Sequence, residues 1–234
     1  MGQSPAYRCF PMPHGMNLVS HPWVLSLTSH LSSELTRLSD HQSEQLARLV
    51  PALLCGEQSA VCVFQHEAQR LSAQALHESA KLISGIEKDE LGHEQTLRAL
   101  VKDLPYLDEL SAIKRHARRF FSIVSRSSDL AQHFSRIAQL DGTVCIIVHA
   151  ISKGQLGRLA CLKEMLDRIK RDEARHAFLS RRHALALGAN RSILHEEGAW
   201  IGPRLINMLM PVADALEALQ VDPDRLFSKI LRHS

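Results

Sequence analysis

Two short stretches decide the predicted fold of this chain: KDELGH at 88–93 and RDEARH at 171–176. Each contains Asp-Glu-x-x-His. The chain has only three Asp-Glu dipeptides, at 89, 108 and 172, and the first and third are followed by the histidine. A glutamate and a histidine three residues apart lie on the same face of an α-helix, so both side chains can reach one ion. The stretches therefore predict two helices that each present a carboxylate and an imidazole on one face.

The residues around the motifs indicate that these faces point into a core. In the first motif, the residues at helical spacing are apolar except for the glutamate and histidine of the motif: Ile83, Ile86, Glu90, His93, Leu97 and Leu100. The row through the second is Leu162, Leu166, Ile169, Glu173 and His176. Two further predicted helices each carry one acid in such a row, Glu57 and Asp141. Buried carboxylates are costly unless they are paired or metal-bound, so four of them with two histidines predict a bound cation.

The spacing also brings these acids to one level. Glu57 and Glu90 lie about 15 and 18 residues on either side of a turn predicted near Ser72, which places both about 22–27 Å from it in an antiparallel pair. Asp141 and Glu173 are placed in the same way around a turn at 154–157. The half-chains thus form an internal repeat, in which an acid precedes the glutamate of the motif by 33 or 32 residues.

Good helix formers dominate the chain after about residue 30, and no long stretch alternates with a period of two, so we predict an all-α fold. Helices are expected over about 32–48, 51–71, 72–103, 127–152, 158–188 and 199–220, with one inside 105–127 and a short one after Pro223. The long crossover between the hairpins predicts a four-helix bundle. We divide the chain into an irregular segment at 1–30, the bundle at 31–188 and C-terminal helices at 189–234.

Composition excludes several classes of protein. The net charge of this 234-residue chain is only +3, which gives no electrostatic reason to expect nucleic acid or an acidic membrane as a partner. The five cysteines form no Cys-x-x-Cys pair, which argues against a disulfide scaffold and suits a reducing cytoplasm. We find no signal peptide and no run of about 18 uncharged apolar residues, so we expect a cytoplasmic protein without a membrane-spanning helix.

This pattern resembles the ferritin-like di-iron carboxylate superfamily, in which two helices each supply one acid and two supply Glu-x-x-His. The Asp-Glu form of the motif is similar to that of the para-aminobenzoate N-oxygenase type, and it also occurs in aldehyde-deformylating and rubrerythrin-like relatives. The resemblance covers about 51–188. It implies six metal ligands: Glu57, Glu90, His93, Asp141, Glu173 and His176. Asp141 stands where a glutamate is more usual, which implies a shorter arm that binds one ion instead of bridging two.

The resemblance implies two iron ions, with manganese or a mixed pair as alternatives, and O₂ as co-substrate. We therefore expect an oxidase or oxygenase that acts on a small organic molecule and takes electrons from an external donor. The alternatives are a ferroxidase, a rubrerythrin-like peroxidase or a metal-free helical bundle. The lack of a Cys-x-x-Cys rubredoxin domain and the residues beyond 188, which could wall a substrate pocket, favour the oxygenase. Whether these residues form a lid or a homodimer interface stays open.

Other polar residues near the motifs receive weaker interpretations. Asp89 and Asp172 are expected to accept the distal N–H of a ligand histidine from the opposite hairpin, and the alternative is a salt bridge on the helix flank. His183 is expected to be a core histidine and not a ligand. The chain has three basic clusters: Arg115, Arg118 and Arg119; Arg168, Lys170 and Arg171; Arg181 and Arg182. We interpret them as solvated faces, and the alternative is a docking patch for an acidic partner such as a carrier protein.

Overall fold

The computed structural model describes residues 31–127 and 129–233, and the secondary structure in these ranges is helical throughout. The prediction of an all-α protein is confirmed. We number the helices α1 (Asp40–Ala73), α2 (His77–Lys102), α3 (Leu110–Val124), α4 (Leu130–Lys153), α5 (Ala160–Ala186), α6 (Arg191–Leu209), α7 (Ala213–Ala218) and α8 (Pro223–His233). The segment predicted to be irregular, 1–30, lies outside the described residues.

The predicted bounds of the first two helices are wrong. Residues 32–48 and 51–71 were expected to form separate helices, but the chain is helical at 31–35 and then continuously over Asp40–Ala73. A capping box between Ser39 and Gln42 begins α1, and Pro51 lies in its interior. An interior proline costs about 3 kcal/mol. The neighbouring Leu49 and Val50 are fully buried, and their burial offsets that cost.

The boundaries of two other helices differ from the predictions. Ser72 was expected to cap α2 but lies inside α1, which ends where the N–H of Leu76 donates to the carbonyl of Leu71 at 3.0 Å. The helix expected from about 199 begins instead at Arg191, because the side chain of Asn190 accepts the N–H of Ile193 at 3.0 Å and caps it. That helix does not run to 220, since residues 210–212 around Pro211 form a 3₁₀ turn.

The four long helices form two hairpins, α1 with α2 and α4 with α5, and α2 contacts α5 between them. The shorter helices cover other faces: α3 packs on α1 and α6, and α6 and α8 pack on α4. Gly142 permits the close approach of α8, since a Cβ atom there would lie 2.6 Å from Nε2 of His233. The face on which α2 meets α5 is thus the one least covered by the shorter helices.

The core consists of two apolar clusters. One contains Leu97 and Ile147 and lies toward the end of the hairpins where α4 turns into α5. The other contains Phe64 and Phe134 and lies toward the end where α1 turns into α2. The six candidate ligands lie between the two clusters along the helices, so their layer interrupts an otherwise apolar interior.

Two helices, α1 and α4, are long and apolar enough to cross a membrane by length and composition alone. In their most apolar windows 67% and 56% of the residues are buried inside the protein. Each also directs a carboxylate, Glu57 or Asp141, into the core. The apolar character of both helices is therefore accounted for by their positions in the core of the fold.

Candidate metal centre

Four helices bring the six candidate ligands to one level of the interior. Helices α1 and α4 each supply one acid, and α2 and α5 each supply a glutamate with a histidine one turn later. None of the six is more than 8% exposed: Glu57, Glu90, His93, Asp141, Glu173 and His176. An interior layer with four acids and two imidazoles has few apolar contacts of its own, so its stability depends on what neutralises the acids.

Four of these residues form a compact group. Glu57, Glu90, His93 and Glu173 each offer one ligand atom, and these atoms all lie within 4.8 Å of one another. The Nδ1 atom of His93 is 3.3 Å from Oε2 of Glu57, 3.6 Å from Oε2 of Glu90 and 3.6 Å from Oε1 of Glu173. The group combines three carboxylates with one imidazole nitrogen, and it could hold a metal ion.

The second histidine lies on the other side of Glu90. Nδ1 of His176 is 2.9 Å from Oε1 of Glu90 and 3.9 Å from Oε1 of Glu173. The centroids of the two imidazole rings are 6.0 Å apart. Glu90 therefore lies between the two histidines, with one oxygen toward each.

Both histidines are oriented by an aspartate of the opposite hairpin. Nε2 of His93 lies 3.3 Å from Oδ2 of Asp172, and Nε2 of His176 lies 3.3 Å from Oδ2 of Asp89. An Nε2–H that donates to a carboxylate leaves the lone pair on Nδ1, and it is Nδ1 that faces the acids in both cases. Each imidazole thus presents its metal-binding nitrogen to the interior.

Asp141 lies beside the compact group and not within it. Its Oδ2 atom accepts a hydrogen bond at 3.2 Å from the hydroxyl of Ser180, which lies one turn after His176 on α5. The negative charge of Glu90 and the positive charge of His176 both act on it. The structure thus places Asp141 at the edge of the layer, where it interacts with the charges of Glu90 and His176.

Burial governs the protonation of three of the acids. Burial, reinforced by the nearby negative charge of Glu90 and opposed by His93, raises the pKa of Glu57 to about 8. Burial likewise raises the pKa of Asp141 to about 8, with Glu90 again adding to the shift. The pKa of Glu173 rises well above its usual range, because burial is reinforced by the charges of Glu90, Glu57 and Asp141.

Glu90 and the two histidines are charged at neutral pH in the absence of metal. Burial acts to raise the pKa of Glu90, but the charge of His176 and hydrogen bonds from both histidines hold it below the usual range. Burial acts to lower the pKa of His176, and the charge of Glu90 outweighs it and raises the value to about 11. The pKa of His93 also rises well above its usual range, chiefly through Glu57. In the metal-free protein, protons on the two histidines therefore offset the negative charge that bound cations would otherwise offset.

The charge of the layer can be compared with the charge that metal ions would bring. If the four carboxylates were ionised and the two imidazoles neutral, the layer would carry four negative charges, which two divalent ions would balance. Carboxylate oxygens with imidazole nitrogens suit iron or manganese, whereas a soft-ligand metal would call for thiolates. The nearest cysteine on α4, Cys145, has its pKa raised to about 11, first by burial and then by Asp141, so it is a neutral thiol at neutral pH.

A cavity of about 90 Å³ adjoins the acids. Glu57, Glu90, Asp141 and Glu173 lie in its wall, and every other residue that lines it is apolar. It extends along α4 as far as Ile151, ten residues beyond Asp141, which corresponds to about 15 Å. A cavity whose wall is apolar except at these four carboxylates could hold an apolar molecule against them.

Sequence reasoning missed a second buried group of charges. Glu67 is fully buried, and its Oε1 atom lies 2.5 Å from Nε2 of His183 and 2.5 Å from Nη2 of Arg70. Burial acts to raise the pKa of Glu67, but Arg70 and His183 outweigh it and lower the value to about 2. His183 thus pairs with a carboxylate, and its side chain is 11% exposed. Glu67 lies on α1 ten residues beyond Glu57, and no motif in the sequence singles it out.

Comparisons with known protein families, with characterised proteins and with solved structures find no match for this chain. The geometry of the site, and not a relative, therefore carries the functional argument.

The role of the aspartates can be tested through metal affinity. We expect Asp172→Ala to weaken metal binding about 10–100-fold, because His93 loses the acceptor that fixes its tautomer and ring orientation. The measurement is the metal retained after equilibration with a graded series of chelator concentrations. Asp167→Ala on the same helix is the matched control, since Asp167 pairs with Lys163 and Lys170 and not with a candidate ligand. Equal affinity in the two variants would show that Asp172 does not support the site.

Proposed function

We propose that this protein is a ferritin-like di-iron oxidase or oxygenase that uses O₂ to oxidise a slender apolar substrate. The helices α1, α2, α4 and α5 would form its four-helix bundle, and the six buried residues at their common level would hold the ions. The iron pair, with manganese as the alternative metal, supplies two electrons at a time to O₂ and a surface on which O₂ can be activated. The reaction of the oxygenase class consumes one O₂, two electrons and two protons, inserts one oxygen atom into the substrate and releases one water.

The observation that carries this proposal is the cavity beside the acids. An iron-storing or iron-oxidising protein needs a hydrophilic path for ions, whereas the wall of this cavity is apolar outside the four carboxylates. The part of the cavity away from the carboxylates is apolar and suits an apolar guest. Its lining follows α4 for about ten residues beyond Asp141, a length that suits an extended aliphatic chain.

The chain's own residues have distinct roles in this scheme. Leu140 and Val144 flank Asp141 and hold the reacting end of the substrate beside the acids, while Leu49 and Ile151 line the cavity farther along the helices. The same side chains exclude water, which limits wasteful release of the oxidising species. Ser180 holds one oxygen of Asp141 at 3.2 Å and thereby fixes the orientation of that carboxylate.

The proposal is tested with protein that is loaded with Fe(II), reduced under argon and then mixed with ¹⁸O₂ and straight-chain substrates of graded length. Two reduced ions contain the electrons for one turnover, so no donor protein is needed. We expect ¹⁸O-labelled organic product. Leu49→Phe, at the far part of the cavity, should abolish product from the longer substrates and spare the shorter ones.

Leu71→Phe is the matched control, because Leu71 is equally buried but lies in the other apolar cluster. Each variant adds bulk to a packed core at a cost of about 1–3 kcal/mol, and thermal melting shows whether it folds. Rapid oxidation of added Fe(II), with no organic product from any substrate and no effect of Leu49→Phe, would contradict the proposal and favour the ferroxidase. Rapid consumption of hydrogen peroxide under the same conditions would favour the peroxidase.

A further inference from the structure

One surface of α5 carries a concentration of arginines around an exposed aromatic ring. We call it the arginine face and define it by five residues: Arg171, Arg175, Phe178, Arg181 and Arg182. All five are exposed, and the ring of Phe178 is 59% exposed. Cζ of Arg182 lies 5.7 Å from its centroid. Exposed phenylalanine beside arginine is typical of protein-binding surfaces, where both residue types are enriched.

The arginine face has a surplus of positive charge. Arg171, Arg181 and Arg182 form no ion pair within the part of the chain that the structure describes. The two acids in this half of α5, Asp172 and Glu173, are turned toward the site and its histidines. In the other half of the same helix, by contrast, Asp167 pairs with both Lys163 and Lys170. The excess charge is therefore local to the arginine face and attracts an acidic partner.

The same face is linked to the candidate metal centre by hydrogen bonds. The guanidinium of Arg175 donates to Oδ2 of Asp89, and the same oxygen lies 3.3 Å from Nε2 of His176. The side chains of Asp89 and Asp172 are 19% and 21% exposed, while those of His176 and His93 are fully buried. One partly exposed carboxylate thus separates each histidine from solvent along the boundary of α2 and α5.

The remaining sides of the site are farther from solvent. Helix α3 packs on α1, and α6 and α8 pack on α4, so a partner on those sides would be separated from the acids by an additional helix. Among the residues that the structure describes, the boundary of α2 and α5 combines a short hydrogen-bonded path with a surplus charge at the surface.

We propose that the arginine face is the docking surface for a small acidic protein that delivers one electron at a time to the metal centre. This inference rests on the proposed function, because an oxygenase needs two electrons from outside for each O₂ that it reduces in a full cycle. Two donor molecules would each be oxidised by one electron, and the two protons would come from solvent. The path would run from the donor over Arg175 and Asp89 to His176.

The test uses the metal-loaded full chain and an acidic plant-type [2Fe–2S] ferredoxin as the probe. We expect ferredoxin to bind at low ionic strength and its affinity to fall steeply as salt is added. R181E/R182E should weaken binding at least about tenfold and flatten the salt dependence, since it reverses two charges of the face. R115E/R119E makes the same change of charge on exposed positions of α3 and should leave binding within about twofold of the wild type.

The rate at which pre-reduced ferredoxin reduces the oxidised centre provides a second readout. It should fall with the affinity in R181E/R182E, whereas single-turnover product formation by chemically reduced protein should stay unchanged in that variant. Equal affinity in R181E/R182E and wild type, or no binding by the wild type at low salt, would overturn the docking proposal and leave the oxygenase proposal standing. The absence of any organic product in single turnover would refute the oxygenase, and the binding series would still decide whether the face is a docking surface.

Two other acidic partners are distinguished in the same series. A DNA duplex or phosphatidylserine vesicles could instead bind the arginine face more tightly than ferredoxin does. If R181E/R182E abolished that tighter binding, the assignment to a donor protein would be overturned. We expect both to bind more weakly than ferredoxin, because Phe178 offers an apolar contact that suits a protein surface.

Discussion

Replacement of Glu90 by alanine is expected to lower bound metal from about two ions per chain to well below one and to abolish turnover. Glu90 lies between the imidazoles, with Oε1 2.9 Å from Nδ1 of His176 and Oε2 3.6 Å from Nδ1 of His93. Its loss therefore affects both ion positions, and we expect a loss of metal affinity of at least about a hundredfold. His176→Ala should have a similar effect on its own side. The measurement is elemental analysis after growth with iron and after gel filtration.

Glu87→Ala is the matched control for this prediction. Glu87 lies one turn before Glu90 on the same helix and is only partly buried. Its side chain hydrogen-bonds with Ser84 and lies near Lys88, not among the six candidate ligands, so its variant should retain metal and activity. Near-stoichiometric metal in both Glu90→Ala and His176→Ala would refute the assignment of these ligands. Tightly bound zinc without iron or manganese uptake would refute the oxygen chemistry.

The metal-free protein is expected to lose stability as the pH rises from about 6 to about 8. The pKa values of Glu57 and Asp141 are raised to about 8 in the fold, from about 4 in the unfolded chain. The contribution of these protonated carboxyl groups to the free energy of unfolding is fully present below about pH 4, and it is lost as the pH rises through about 8. The raised pKa of His176, about 11, acts in the same direction above the value of about 6.5 for the unfolded chain. We expect the melting temperature to fall by about 5–10 °C over this range.

The metal-loaded protein should melt higher than the metal-free form and show little of this pH dependence, because two divalent ions hold the carboxylates ionised at every pH in the range. Asp141→Asn removes one of the titrating groups and should reduce the pH dependence of the metal-free form. The check is differential scanning calorimetry of both forms between pH 6 and 8. A metal-free protein as stable as the loaded one throughout would mean that the acids do not share a buried site.

Stability should also decline on the acidic side, for a different reason. The pKa of Glu67 is lowered to about 2 by Arg70 and His183. Stability from a depressed carboxylate is present above its unfolded value of about 4 and is lost as the pH falls toward 2. The metal-free protein is therefore expected to be most stable in mildly acidic solution, between these two opposing trends.

Much of the arrangement could be predicted because it follows from helical periodicity. The spacing of 33 residues between Glu57 and Glu90, and of 32 between Asp141 and Glu173, requires only regular helices and two short turns to bring four acids to one level. The predicted ends of α1 were wrong, because the helix continues through Pro51 and ends after Ser72. These errors did not change the predicted level of Glu57, which still faces the interior.

The sequence alone therefore determined the helical class, the inward rows of residues and the shared level of the acids, since these depend on local periodicity and burial. The pairing of each histidine with an aspartate of the opposite hairpin was expected from the sequence, but only the tertiary structure decided that Nδ1, and not Nε2, faces the acids. It also decided that Ser180 donates a hydrogen bond to Asp141, that a cavity begins at the carboxylates, and that Arg171, Arg181 and Arg182 form no ion pair among the described residues. The physical reason is that ring orientation, empty space and uncompensated charge arise from contacts between helices distant in sequence, which the period of a single helix does not encode.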